Sequence, residues 1–488
     1  MSSGLLLGID EGTTAVKAAL FDTDLRAVAE ARRTVPVSHP GADRVEQDPG
    51  LILAAVEDAV AEVLEQAGER EVIAAGIDHQ GESVLAWEVG GRALTPVIVW
   101  QDKRQSALLE TIDPGAIERS GLPLDPYFSA GKLAWLLEHD AGVARARAQG
   151  SLRLGTVDAY LCERLAGRFA TDLSTASRTQ LLAVGGRDWD EELLDAFGLR
   201  REWLPATGPS YGELGVLRSE RWPYAIPLTA QLVDQQAALA GSGAVRAGEL
   251  KATYGTGVFV LGRTDGPVRA RGLLPTVAWA RPDRSGGVGE VCHALDGGVF
   301  AAGTLLDWPA GGLGLASDAK TLAAAAATVQ DSAGVRMLPA IAGLGAPWWR
   351  PAAHGVIAGL HPGARPAHLA RAALEAIAWR VADIVEAIAE VAPISGLRVD
   401  GGLTNDETLL QIQADALGLP LEVGRSDTTV LGAAMFASVG AGVFASVEEA
   451  ARRVPPGRVV TPQLTRDAPE RESERERWRA FVEQSSSI

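Results

Sequence analysis

The segment from Leu5 to Asp22, LLLGIDEGTTAVKAALFD, leaves a chain few ways to fold: an apolar run, a carboxylate, a Gly-Thr-Thr turn and a second apolar run. Such a pattern predicts a β-hairpin. Gly12 lets backbone approach an anion closely, Thr13 and Thr14 add hydroxyl donors, and Asp10 can hold a magnesium ion that bridges phosphate oxygens. One cation, Lys17, lies inside the second run. The hairpin is a candidate phosphate grip, and an ordinary hairpin with a Gly turn reads the same on this segment alone. From Gly248 the plan recurs, since ELKATYGTGVFVLGRTDG is again strand, Gly-Thr-Gly turn and strand. Two hairpins, each opening a half of similar length, predict two related domains, 1–245 and 246–488, facing each other across a cleft.

Length agrees with that division, because 488 residues exceed what one ordinary core accommodates. The 45 basic and 62 acidic residues give a formal charge of -17, which repels nucleic acid and anionic lipid. Cys162 and Cys292 are the only cysteines, too few for a disulfide framework or a thiolate metal site. His79, His293, His354 and His361 fit no metal-ligand spacing. No apolar run reaches the roughly 18 residues of a membrane span, and the N-terminus enters a strand directly. The expectation is a soluble cytoplasmic protein with neither a membrane nor a nucleic-acid partner.

Strand-like and helix-like segments alternate, which predicts α/β architecture. Asp48 and Pro49 open a helix with Ile52, Val56, Val60, Val63 and Leu64 on one face, and Gly68 follows its end. Strand 72–77 runs into DHQGES, and strand 97–99 into Trp100, Gln101 and Asp102. Polar groups beyond strand ends are site candidates in open α/β sheets. The stretch 205–227 reads as irregular surface chain. A long helix is expected from about Ala367 to Val391, and a strand over 397–399 leads into Asp400, Gly401 and Gly402. Thr404 and Glu407 form a capping-box pattern there, so a helix N-terminus is expected to receive a nucleotide. The charged tail from Arg466 to Trp478 reads as a solvated surface helix.

No segment matches the P-loop pattern G-x-x-x-x-G-K-[ST], so phosphate chemistry needs another grip. DEGTT, IVWQDKR at 98–104, DPYFSAGKLAW at 125–135, DQQAAL at 234–239, YGTG at 254–257, GLGAPWW at 343–349 and VDGGLTNDETLLQIQADALG at 399–418 together resemble the FGGY carbohydrate kinases, in matching order. DPYFSA, TVDAYL at 156–161 and TDLSTASRT at 171–179 look most like glycerol kinases.

The resemblance implies two actin-like ATPase (ribonuclease H-like) domains with ATP and a polyol or sugar in the cleft between them. It also implies transfer of the γ-phosphoryl group to a terminal hydroxyl, with magnesium (Mg2+) as cofactor. Carried over by position, Asp10 meets the metal, while Thr13, Thr14 and Lys17 face the terminal phosphates. Gly255 and Thr256 hold phosphate from the second domain, and Gly401, Gly402 and Asp406 border the adenosine. The polyol pocket contains Glu82, Trp100, Tyr127, Asp234, Gln235 and Phe259, with Asp234 as general base. A base within reach of a weak hydroxyl nucleophile is what this chemistry needs. Taken singly, Trp100, Tyr127 and Glu82 read equally well as packing and turn residues.

The sequence departs from the glycerol kinase pattern in three places. Where an Arg precedes Glu82 in that pattern, this chain has Gly81, which removes a cation and is expected to free volume for one or two further hydroxymethylene units. The Gly-rich insert before DQQ is missing, so feedback control by that route is not expected. At Asp406 the family more often has Asn or Ser. Glycerol is the first substrate expected, with four- or five-carbon polyols and ketoses (erythritol, xylitol, xylulose) as the alternative. A non-enzymatic actin-like switch is the third reading, disfavoured because it needs no polyol pocket. The sequence leaves a homo-oligomer open.

Overall fold

The computed structural model describes residues 4–341, 343–425 and 427–486. The chain folds as two compact units that do not follow sequence order. The first holds the chain up to Val245 together with 275–294 and 427–454, and the second holds 246–274, 295–426 and the chain from Pro455 onward. Segments 275–294 and 427–454 therefore lie with the N-terminal half rather than with their sequence neighbours.

In the first unit, β1 (Leu5–Glu11) and β2 (Ala15–Phe21) form the expected hairpin, with Asp10 opposite Lys17. With β3 (Ala27–Thr34), β4 (Val72–His79), β5 (Tyr211–Leu217) and β6 (Ile226–Val233) they make a six-stranded sheet of order β5-β6-β4-β1-β2-β3. The β1/β4 and β4/β6 pairs are parallel, so the ends of three neighbouring strands open on the same edge. Strand β4 continues through Asp78 and His79, which places the start of DHQGES inside the sheet instead of beyond it. The stretch 205–227 is likewise more regular than its Pro, Gly and charge content suggests, because β5 pairs with β6 at the sheet edge.

Helix Pro49–Ala67 is capped by Asp48, whose carboxylate accepts from the Gly50 and Leu51 N–H groups, and it buries Ile52, Val56, Val60, Val63 and Leu64. Helix Thr428–Gly440 packs against β1, β4, β6 and helix Asp234–Gly241 and is buried along nearly all its length. Glycines on the helix and on its neighbours set how closely it lies. A Cβ at Gly76 would stand 2.1 Å from the Ala433 carbonyl oxygen, and one at Gly432 would stand 1.9 Å from that of Ala237. Side chains at either site would push the backbones apart. A second sheet, in which Val84–Glu88 pairs with Leu152–Thr156 and Val97–Ile98, ends just before Trp100.

In the second unit, β7 (Glu249–Tyr254) and β8 (Val258–Thr264) form the second expected hairpin. β7 pairs in parallel with β9 (Gly396–Asp400), followed by β10 (Leu421–Val423) and β11 (Arg458–Val460). The long helix spans Pro366–Ala389 and buries Leu374, Ile377, Val381, Ile384 and Ile388. The C-terminal helix, Pro469–Ser485, is not the solvated surface element its charge suggests. Arg471, Arg475 and Trp478 are buried, and their partners Asp383 and Glu386 lie on the long helix. Buried ionic partners, invisible in a linear reading, account for the difference. Among the described residues no helix is long and apolar enough to cross a membrane.

Candidate active site

Strands β1 and β4 carry the same tripeptide one residue before their ends, and parallel register sets Gly8, Ile9 and Asp10 beside Gly76, Ile77 and Asp78. On the other side of β4, Leu232 pairs with Asp78 and Val233 with His79, so the next residue, Asp234, opens helix Asp234–Gly241 beside them. Three carboxylates thus meet at three strand ends. Burial pushes Asp10 up to about 6, against the pull of an Asp78 hydrogen bond and the charges of Lys17 and Arg32. Asp78 is pushed well above the carboxylate range by burial and then by the charges of Asp10 and Asp234. No donor among the described residues reaches either Asp78 oxygen. Glu11, also buried, is raised in the same direction by burial, and its Oε1 accepts from Gln80 Nε2 at 2.9 Å.

The hairpin turn is wired into a neighbouring aromatic wall. Trp100 Nε1–H donates to Thr13 Oγ1 at 3.0 Å, and Thr13 Oγ1 donates to Gln80 Oε1 at 3.3 Å. The Gln47 amide holds the Thr13 carbonyl at 2.8 Å. Thr13 therefore builds the wall, while Thr14 stands exposed. Lys17 Nζ meets Glu30 at 3.0 Å and Asp427 at 2.9 Å, so its ammonium braces the hairpin against the start of helix Thr428–Gly440. The Trp100 and Tyr127 rings meet edge to face, 5.7 Å between centroids. Buried Lys132 donates to the carbonyls of Pro126, Tyr127 and Phe128 and so fixes the loop that carries Tyr127. Glu82 sits at φ 59°, a backbone conformation costly outside glycine, with its carboxylate 2.7 Å from Arg178 Nε.

Gly81 has a close neighbour at the point where an Arg side chain would begin. A Cβ there would lie 2.9 Å from Val233 Cγ2, so Val233 already fills the place where a side chain would start. Gln235 follows Asp234 on the first turn of its helix, and its N–H donates to Asp234 Oδ1 at 2.6 Å.

The remaining expected site residues belong to the second unit. The Gly255-Thr256-Gly257 turn closes with Gly255 N–H donating to the Gly257 carbonyl at 2.8 Å, and Thr256 is exposed at its tip. Phe259 lies three residues on, in β8. Parallel pairing sets Thr253 beside Asp400, which brings the Gly401-Gly402 turn next to the Gly-Thr-Gly turn. At Gly401, φ is 99° and a Cβ would lie 2.3 Å from the Tyr254 carbonyl oxygen, so only glycine serves. Beside these turns is a cavity of 590 Å³ lined by Gly402, Leu403, Asn405, Asp406 and Leu409 and by Leu306, Lys320, Ala323 and Leu374. It has the size and apolar character of a small-ligand site. The expected Thr404–Glu407 capping box is not formed. Residues 402–405 make a 3-10 turn, and Asp406 caps helix Glu407–Leu417, accepting from Thr408 N–H at 2.8 Å and Leu409 N–H at 3.0 Å. An Asp two residues closer to the helix outcompetes the threonine.

Sequence reasoning attached no individual role to Asp78, Arg178 or Lys132, although Asp78 opens the DHQGES candidate cluster. The repeated Gly-Ile-Asp at 8–10 and 76–78 is the signal that finds Asp78. Arg178 lies in the TDLSTASRT segment, whose likeness was visible without any role attached to it. Lys132 lies in the DPYFSAGKLAW segment, likewise visible as a likeness with no role attached to the lysine. Among the described residues no three His, Cys, Asp or Glu side chains form a metal cage. Asp10 and the orphaned Asp78 carboxyl next to it suit a magnesium ion, which takes one or two carboxylates and completes its shell with water and phosphate.

Comparison with known proteins agrees with the motif order. Residues 5–241 match the N-terminal domain, and residues 250–441 the C-terminal domain, of the FGGY family of carbohydrate kinases. The chain is 42% identical to a glycerol kinase of Aromatoleum aromaticum over 98% of both chains, and 42% identical to one of Thermus brockianus over 90% of both. The crystal structure of Plasmodium falciparum glycerol kinase with ADP superposes with a TM-score of 0.92 at 26% identity, covering 99% of this chain and 98% of that one.

Proposed function

Because the chain belongs to the FGGY family of carbohydrate kinases, we propose that it transfers the γ-phosphoryl group of ATP to a terminal hydroxyl of glycerol, giving glycerol 3-phosphate. The observation that carries this reading is the juxtaposition in one unit of Asp234, at the end of β6, with the Glu82, Trp100 and Tyr127 wall beside the hairpin turn. Asp234 accepts the proton that the hydroxyl loses as the phosphoryl group arrives. Glu82 and Gln235 accept or donate hydrogen bonds to the polyol hydroxyls, and Tyr127 and Trp100 cover its carbons. The chain's 42% identity to glycerol kinases over nearly its whole length favours a three-carbon polyol over erythritol, xylitol or xylulose.

Thr14 in the first unit's turn and Thr256 in the second's each carry an exposed hydroxyl suited to phosphate, and Gly255 closes the turn that presents Thr256. Lys17 and Thr13 shape the first of these turns. Gly401, Gly402 and Asp406 border the adenosine, with Asp406 acting through the helix it caps. Asp10 would hold magnesium, which supplies charge neutralisation at the phosphate oxygens. Positioning and electrostatic stabilisation then account for most of the acceleration.

ADP release measured with ATP and magnesium against glycerol, erythritol, xylitol and xylulose tests the reading. Glycerol is expected to exceed the others in kcat/KM by about tenfold or more, the order of discrimination a substrate pocket provides. A longer substrate in first place would overturn it.

A further inference from the structure

The polyol reading leaves Glu82 without an Arg at its chain neighbour, and a cation reaches it from a different element. Arg178 follows the short helix Leu173–Ala176, and its Nε–H donates to Glu82 Oε1 at 2.7 Å, with both side chains 5% exposed. Its guanidinium carbon lies 5.9 Å from the centre of the Tyr127 ring and 5.8 Å from that of Phe128, within cation–π range of each. The one cation thus touches two of the residues assigned to the polyol wall.

The turn bearing it is anchored to the strands that deliver the carboxylates. Asp172 accepts from the Ser174 and Thr175 N–H groups, and the Val233 N–H donates to Ser174 Oγ at 3.1 Å. Thr175 Oγ1 is hydrogen-bonded to His79 Nε2 at 2.9 Å, and the Ala130 N–H donates to the Thr179 carbonyl at 3.0 Å. A guanidinium held from behind by β4, β6 and the Tyr127 loop is preorganised. It also explains how Glu82 keeps its left-handed backbone, since such a conformation persists where its surroundings over-determine it.

We propose that Arg178 is the specificity-determining cation of the polyol site: it holds the Glu82 carboxylate aimed at the polyol hydroxyls and brings, from the 172–179 turn, the positive charge that position 81 lacks. The assignment rests on the polyol kinase reading above. A planar guanidinium serves Glu82 and the Tyr127 face together, which a lysine ammonium cannot do with one fixed geometry.

Steady-state kinetics of Arg178→Met and Arg178→Lys, with the melting temperature of each, provide the test. Losing a charge-assisted contact is worth about a 10- to 100-fold rise in the glycerol KM for Arg178→Met, with the ATP KM changed less than about twofold. Arg178→Lys is expected to recover part of the loss, and methylguanidinium added to Arg178→Ala part as well. Should the Met variant not fold, the Lys variant carries the same KM readout. A glycerol KM within about twofold of wild type in the folded variants would overturn the assignment while leaving the kinase reading intact. Wild-type enzyme that releases no ADP with any polyol would overturn that reading, and the assignment with it.

Discussion

At the scale of single residues, the three carboxylates at the ends of β1, β4 and β6 have different surroundings although they share one low-dielectric corner. Asp234 stands at a helix N-terminus beside the polyol wall, so Asp234→Asn removes the proton acceptor and leaves the phosphate turns untouched. A fall in kcat of about 10²- to 10⁴-fold with nearly unchanged ATP affinity is expected from rapid-quench and binding measurements. Retention of more than a tenth of the activity would exclude Asp234 as base. Asp78 presents the opposite problem, a carboxyl whose ionisation nothing rewards. Because its folded pKa is raised, the folded state binds the proton that the unfolded state releases, and stability declines as pH climbs above the ordinary Asp range. Asp78→Asn removes that decline, so denaturant unfolding should show the variant gaining on wild type from pH 5 to pH 8. Asp10 was legible as a site residue because it precedes a Gly-Thr-Thr turn. Asp78 was visible only as part of the DHQGES cluster, and its place beside Asp10 comes from parallel pairing of two distant Gly-Ile-Asp tripeptides.

At the scale of elements, the outcome depended on whether a pattern is closed locally. Both Gly-Thr hairpins and helix Pro49–Ala67 formed as the sequence predicts, because turn glycine, cap and apolar spacing lie within a few residues of one another. The C-terminal helix did not, because its charges are satisfied across a long chain separation. Arg475 donates to both Asp383 and Glu386, and Arg380 shares Asp383. Arg475→Met should cost roughly 3 kcal/mol, the low end for breaking a buried pair, since Asp383 keeps Arg380 and Trp478 as partners. Chemical denaturation read by Trp fluorescence would measure this. A loss below about 0.5 kcal/mol, the range of surface substitutions, would restore the solvated-helix view.

At the scale of the whole molecule, each unit has its own core and its own share of the proposed chemistry. Hydrogen exchange can read the two shares separately. ADP should slow exchange in 319–326 and 402–417, around the 590 Å³ cavity, and glycerol in 80–83 and 127–132 of the other unit. Protection by ADP confined to residues away from that cavity would displace the nucleotide site. The sequence by itself determined the α/β class, the two hairpins, the family likeness and the order of the site motifs, all of which depend on residues close together in the chain. Only the tertiary structure decided that 427–454 joins the first unit and that Val233 occupies the space beside Gly81. It also supplied Glu82's cation, from a position ninety-six residues away. Local patterns encode strands, turns and caps, whereas a filled volume or a buried charge pair depends on which distant segments packing brings into contact.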